Sequence, residues 1–260
     1  MPAPEQPRPE VIIRQHARTA IWLGIDHLPV YRAARAASPE FPESPAAEPL
    51  MFNPAPNDLS ERQRAALARL QAVRDRYEAD APHRHFVTSF TNLVWGEGDP
   101  CARLMFVGEA PGAEEDRTGR PFVGRAGKLL EKMINAMGLS RPQVYIANVL
   151  KTRPPNNATP TSDEVERCAP YLFDQIAAVA PEVIVTLGLP ATRCLLKSDQ
   201  SMGSLRGRWA RFEHGSFACE GMPTFHPAFL LRQYTAENRG KVWSDLQQVM
   251  TRLGLKPGTA

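Results

Sequence analysis

The sequence is poor in cysteine. Its four, Cys101, Cys168, Cys194 and Cys219, include no Cys-x-x-Cys pair and no spacing that suggests a disulfide framework or a zinc site, so they read as reduced structural thiols. Long hydrophobic runs are lacking as well. Every apolar stretch is short and broken by charge, well below the roughly 20 residues of a membrane span, and the start of the chain has no charged segment followed by an apolar one. The expectation is a soluble, cytoplasmic protein with no membrane partner. There is no internal repeat. A Gly-x-x-x-x-Gly-Lys loop is missing too, which counts against a phosphate-ester or nucleotide enzyme built on such a turn. Net charge is small, +3, too little to imply a nucleic-acid partner on its own.

What the chain does hold is unevenly spread. Between Arg117 and Arg153 eight Lys or Arg stand against one acid, Glu131. Such a local basic excess suits phosphate contact and equally suits a solvated surface. Residues 1 to about 60 carry 11 of the 25 prolines, and the stretch 39–56 adds Ser, Glu and Ala but few aromatics, the composition of an extended or poorly ordered arm. Within it, residues 11–23 fit one helix, with Ile13, Ala17, Ala20 and Ile21 on a shared face and Gly24 to stop it. A second helix is expected over 59–79, capped by Asp58 or Ser60, with Leu67, Leu70 and Val73 at helical spacing. A length of 260 residues at 43% hydrophobic composition supports one cored domain plus an appendage: an arm over 1–80 and a main domain over 81–260.

From residue 102 onward the pattern changes to short apolar runs, each followed by a turn and a helix-like segment. Strands are expected over 104–107, 144–149, 183–187 and 222–225. Helices are expected over 127–137, after the capping box Thr161-Ser162-Asp163-Glu164, from Pro190, and over 237–253. Residues 208–221 alternate aromatic and polar side chains like a hairpin. The predicted fold is α/β, three layers α/β/α around a central, mostly parallel four-stranded sheet, with the helical and extended N-terminal arm added. Ligands in such sheets bind at the carboxyl ends of the strands. Three of those ends carry unusual residues: Gly108-Glu109-Ala110-Pro111-Gly112, Asn148, and His226-Pro227. Each alone is weak, because Gly and Pro after a strand commonly mark only a tight turn.

Together, residues 108–116, the run Gly119-Arg120-Pro121-Phe122-Val123-Gly124-Arg125-Ala126-Gly127, Asn148, and His226-Pro227-Ala228-Phe229-Leu230-Leu231-Arg232 resemble one family, the uracil-DNA glycosylase superfamily, and within it the family-four branch. The resemblance covers about residues 94–253 in matching order. It implies a DNA partner containing uracil or abasic sites and hydrolysis of the bond between uracil and its sugar; a monomer is expected. Uracil must first leave the base stack, at roughly a few kcal/mol. Phe122 offers a face for the base, worth on the order of 1–3 kcal/mol. A fixed Asn148 amide pairs with the adjacent N3–H and O4 of uracil and rejects cytosine, which presents an acceptor and an amine there. The resemblance makes His226 the donor to uracil O2 as negative charge builds, a contribution of roughly 3–4 kcal/mol, and Glu109 the acid that orients water or offsets the sugar cation. Gly108, Ala110 and Glu115 fall beside the base, with Glu115 and Asp116 in supporting roles. Gly124, Arg125 and Gly127 resemble a phosphate-binding turn, a reading no stronger here than a helix start packed on the sheet. Pro227, Leu230, Leu231 and Arg232 fall in the wedge that fills the gap left by the base, although Leu231 is equally readable as core.

The sequence departs from family four in one respect. The branch implies an iron-sulfur cluster held by four cysteines: two ahead of the first core strand, one beside the Lys-x-Arg-Pro-Pro turn, and one in the following helix. Here Thr152 stands in Lys151-Thr152-Arg153-Pro154-Pro155, residues 81–90 contain no cysteine, and only Cys168 keeps its place. One thiolate cannot hold a cluster, so no cofactor or metal is expected. His83 and His85, beside Arg84, read as solvated rather than as ligands. The competing reading is a binding module that recognises uracil-containing or abasic DNA with weak or no turnover.

Overall fold

The structure, a computed structural model, describes residues 59–257 except 87 and 89. The chain separates into two units, residues 1–50 with residue 260, and residues 51–259, and every described residue falls in the second. The helix expected over 11–23 and most of the proline-rich arm lie outside the described residues.

Six strands form one sheet in the order β1-β3-β2-β4-β6-β5. These are β1 (Glu97–Gly98), β2 (Leu104–Gly108), β3 (Tyr145–Asn148), β4 (Val183–Leu187), β5 (Ala210–His214) and β6 (Phe217–Thr224). The four expected parallel strands are the centre, with Phe106 opposite Ile146 and Val185, and Val185 opposite Met222. The expected count of four is too small, because antiparallel β1 and β5 border the sheet. The hairpin and the last strand are also not separate. One edge of β6 pairs with β5 and its other edge with β4, so a single eight-residue strand does both.

Eight α-helices complete the described chain: α1 (Glu61–Asp80), α2 (Ala113–Thr118), α3 (Arg125–Ala136), α4 (Ser162–Val179), α5 (Leu189–Leu196), α6 (Met202–Leu205), α7 (Pro227–Arg232) and α8 (Ala236–Leu253). The caps follow the sequence. Ser60 rather than Asp58 starts α1, its hydroxyl accepting from Gln63 N at 3.2 Å, and Thr161 with Glu164 closes the expected box on α4. The short helices α2, α6 and α7 were not anticipated, since four to six residues are too few to display a period.

Successive strand residues face opposite sides. Met105, Val107, Tyr145, Ala147 and Ile184 point into a cluster with Cys168, Leu172 and Ile176 of α4 and Ala191 and Leu195 of α5. The alternate residues Leu104, Phe106, Ile146, Val183 and Val185, equally buried, point the other way, toward α3 and α8, with α7 packed on α3 and α8 on β6. Helix α1 lies outside α4, inserting Leu70 and Tyr77 into the first cluster. The expected boundary after residue 80 therefore cuts through packed core. Its sequence reads as an arm because only Ala66, Leu70 and Tyr77 among its 20 residues are buried.

Candidate active site

The four parallel strands end on one rim. Between β2 and β4 the outgoing connections diverge to opposite sides, the place where such sheets open a crevice. A cavity of about 570 Å³ lies there, lined by Glu109, Phe122, Asn148 and His226 among others, within the roughly 300–1,000 Å³ usual for small-molecule sites.

Asn148 ends β3 opposite Gly108 of β2. It is buried, and its Oδ1 has no hydrogen-bond partner among the described residues. A buried acceptor left open costs about 1–3 kcal/mol, so this atom is poised for a donor arriving in the cavity. Its main chain is anchored from behind. The fully buried Lys151 donates from Nζ to the Asn148 carbonyl at 2.8 Å and to Gln175 Oε1 at 2.6 Å, with its ammonium 5.0 Å from the Trp95 ring centre. Gln175 in turn donates to the Trp95 carbonyl and the Tyr145 hydroxyl, both at 3.1 Å. Burial lowers the Lys151 pKa to about 7.

Phe122 approaches the rim from the loop between α2 and α3. It adopts φ +52°, a left-handed conformation that costs on the order of 1–3 kcal/mol in a non-glycine residue. Two glycines make room for it. A Cβ on Gly108 would stand 2.5 Å from Phe122 Cζ and would strike Asn148 Oδ1, and a Cβ on Gly127 would overlap the Phe122 carbonyl. Gly127 thus serves the close approach of the Phe122 backbone, a role the sequence reading did not assign to it. The Phe122 and His226 ring centres are 5.6 Å apart.

His226 caps α7. Its Nδ1 accepts the Ala228 N–H at 3.0 Å, which leaves Nε2 to carry the ring proton. Burial, with a further contribution from the Arg232 charge, lowers its pKa to about 4, so the ring is neutral. Glu109 follows β2 and is half-buried. Burial raises its carboxyl pKa and the Arg232 charge opposes the rise. Arg232, at the end of α7, is exposed and borders the cavity, whereas Leu230 and Pro227 are buried in the core. Those two lie out of solvent, while Leu231, expected beside them in the wedge, is half-buried. Ala110 lines the cavity. Glu115 lines it too, but its Oε1 accepts from Val123 N at 2.9 Å and Gly124 N at 2.8 Å. It braces the turn and occupies the Gly124 N–H that the phosphate reading needs. Arg125 is exposed at the first position of α3. Asp116 is structural, its Oδ1 accepting from Thr91 N and Asn92 N.

Sequence reasoning missed Asn157, which lines the cavity from a turn where Asn156 and Asn157 are both left-handed. The signal was the Asn-Asn pair after Pro154-Pro155. It also missed the part Lys151 plays behind Asn148, a charge that directly follows the apolar pair Val149-Leu150.

Where the resemblance implies a cluster, the residues present do not supply its ligands. Thr152 is buried in place of one thiolate, and burial pushes the Cys168 thiol up to about 11, so it stays protonated. His83 is not solvated as expected. It is buried and stacks on Tyr77 at 5.6 Å, and Tyr77 also meets Trp95 at 5.6 Å and Tyr171 edge-on at 5.1 Å. His85 is exposed.

The family model described as the uracil DNA glycosylase superfamily matches residues 95–247. A type-4 uracil-DNA glycosylase of Thermotoga maritima is 45% identical over 159 residues, which cover 61% of this chain and 81% of the relative. Another, of Saccharolobus solfataricus, is 43% identical over 65% of this chain and 79% of the relative. A type-5 uracil-DNA glycosylase of Pyrobaculum aerophilum is 37% identical over 46% and 59%.

Proposed function

The chain belongs to the uracil-DNA glycosylase superfamily, and from that premise we propose that it hydrolyses the N-glycosidic bond of uracil flipped out of DNA, leaving an abasic site. The observation that carries the reading is the joint presence, in one cavity, of the open Asn148 Oδ1, the Phe122 ring and a neutral His226 with its proton on Nε2. Asn148 Oδ1 accepts the uracil N3–H and its amide donates to O4. Phe122 stacks on the base. As the bond from uracil N1 to the sugar C1′ breaks, His226 Nε2–H donates to O2, where the departing electrons accumulate. Glu109, kept toward its anionic form by Arg232, faces the cationic sugar and orients the water that bonds to C1′. The proton released from that water balances the uracil anion.

The test is release of free uracil from a uracil-containing oligonucleotide under single-turnover conditions. Wild type should release it, and Asn148→Ala and His226→Ala should each lose roughly a hundredfold or more. Glu109→Gln should lose rate while still binding DNA. Binding by wild type without release would replace the enzyme by a DNA-binding module.

The reading extends to the cofactor. The aromatic packing of Tyr77, His83, Trp95 and Tyr171 takes the structural part that the cluster holds in the resemblance, and the protein works without iron. Supporting this are the buried Thr152 and the protonated Cys168. Metal analysis and a visible spectrum of anaerobically purified protein decide it, and stoichiometric iron and sulfide would overturn it.

A further inference from the structure

The left-handed conformation of Phe122 needs something to hold it, and the cavity does not supply it. Behind the loop, Arg141, in the 3-10 turn Arg141–Gln143 that leads into β3, is buried at 6% exposure. Its Nη1 donates to the Phe122 carbonyl at 2.9 Å and its Nη2 to the Pro121 carbonyl, while its Nε donates to Glu97 of β1. Glu97 also receives the Arg120 guanidinium in a two-point fork, at 2.8 and 3.0 Å. Burial pushes the Glu97 carboxyl up, but the hydrogen bonds and charges of the two arginines outweigh it and hold the group ionised. Glu97 is itself fixed, because its backbone pairs with Ile146, two residues before Asn148 on the same strand. None of Glu97, Arg120 and Arg141 lines the cavity.

We propose that Arg141, seated by Glu97, is a positioning residue for base recognition: it clamps the backbone of Phe122 in its left-handed conformation and thereby fixes the ring against the edge that Asn148 reads. A guanidinium is suited to this because its rigid fork serves two carbonyls and a carboxylate at once. The clamp registers the two recognition elements on one another, since β3 carries Asn148 and the turn carrying Arg141 enters β3 directly. The proposal rests on Phe122 being the stacking platform.

Stacking is made to the free base and to the base in DNA alike, so its loss should appear mainly in binding rather than in the maximal rate. The experiment uses the full chain as wild type, Arg141→Gln, Arg141→Lys, Glu97→Gln and Phe122→Ala. It measures inhibition by free uracil, single-turnover cleavage of a uracil-containing single strand, and binding to an oligonucleotide with a tetrahydrofuran abasic analogue. For Arg141→Gln the inhibition constant for uracil and the half-saturating substrate concentration should each rise about tenfold or more. The maximal rate should change less, and abasic-analogue binding should stay within about twofold. Arg141→Lys, which keeps the charge but not the fork, should fall between, at about threefold or more. Glu97→Gln should follow the same pattern, and these two variants carry the test if Arg141→Gln does not fold. Uracil inhibition unchanged in the Arg141 and Glu97 variants, with Phe122→Ala impaired, overturns the clamp alone. Unchanged inhibition in Phe122→Ala overturns the stacking reading beneath it. An equal loss of abasic-analogue binding marks collapse of the whole loop and also overturns the clamp.

Discussion

His226 already accepts the Ala228 N–H at Nδ1, so adding a proton there would set two donors against each other. Its pKa stands near 4 in the folded chain against an ordinary 6.5, and between those values the unfolded chain binds the extra proton. The residue's contribution to stability is complete above pH 6.5 and is lost as pH falls through this window, about 3 kcal/mol in all. Glu109, raised by burial, acts with the opposite sign, its contribution being lost as pH rises above the ordinary carboxylate range. Titration of the imidazole nitrogens by NMR should place His226 near 4, and Arg232→Gln should raise it, because one cation that opposes protonation is gone. At Gly127 the added methyl of Gly127→Ala meets the Phe122 backbone rather than a yielding side chain. Denaturant unfolding should show a loss of about 2 kcal/mol or more, and uracil inhibition should weaken with it. These residue-scale facts were half legible. Phe122 and Asn148 carry base recognition that can be named from their types, Glu109 and His226 take their roles from the resemblance, and all four line the cavity. The duties of Gly127 and Glu115, by contrast, are contacts across 5 and 8 residues of loop that no local pattern reports.

Among the elements, α1 bears most weight for its modest appearance. Tyr77 sits among His83, Trp95 and Tyr171, so Tyr77→Ala should cost about 3–5 kcal/mol. Ser60→Ala, which removes only the cap hydroxyl, should cost about 1 kcal/mol. Chemical denaturation separates the two. The central strands were legible because residues buried on both faces form near-continuous apolar runs, and α4 announced itself by its capping box. The two-residue β1 and the short α2 and α7 were not, since their existence depends on partners elsewhere. Glu97 pairs with β3, and α7 starts where His226 supplies its cap.

At the scale of the whole molecule, the family match covers residues 95–247, while Leu70 and Tyr77 of α1, ahead of it, are packed into the core. Removing 1–80 takes Leu70 and Tyr77 from the core and should abolish cooperative unfolding, as thermal melts followed by circular dichroism would show. The arm-and-domain division was the part of the architecture least legible in sequence, because proline content marks residues 1–60 while packing claims everything from α1 onward. The borders of the sheet have a consequence of their own. On one side β1 pairs for only two residues, and on the other β5 sets the charged Arg211 and Glu213 at its exposed positions. Among the described residues neither border offers a long apolar strand for another copy to extend, so the sheet is protected against edge-to-edge pairing at high protein concentration.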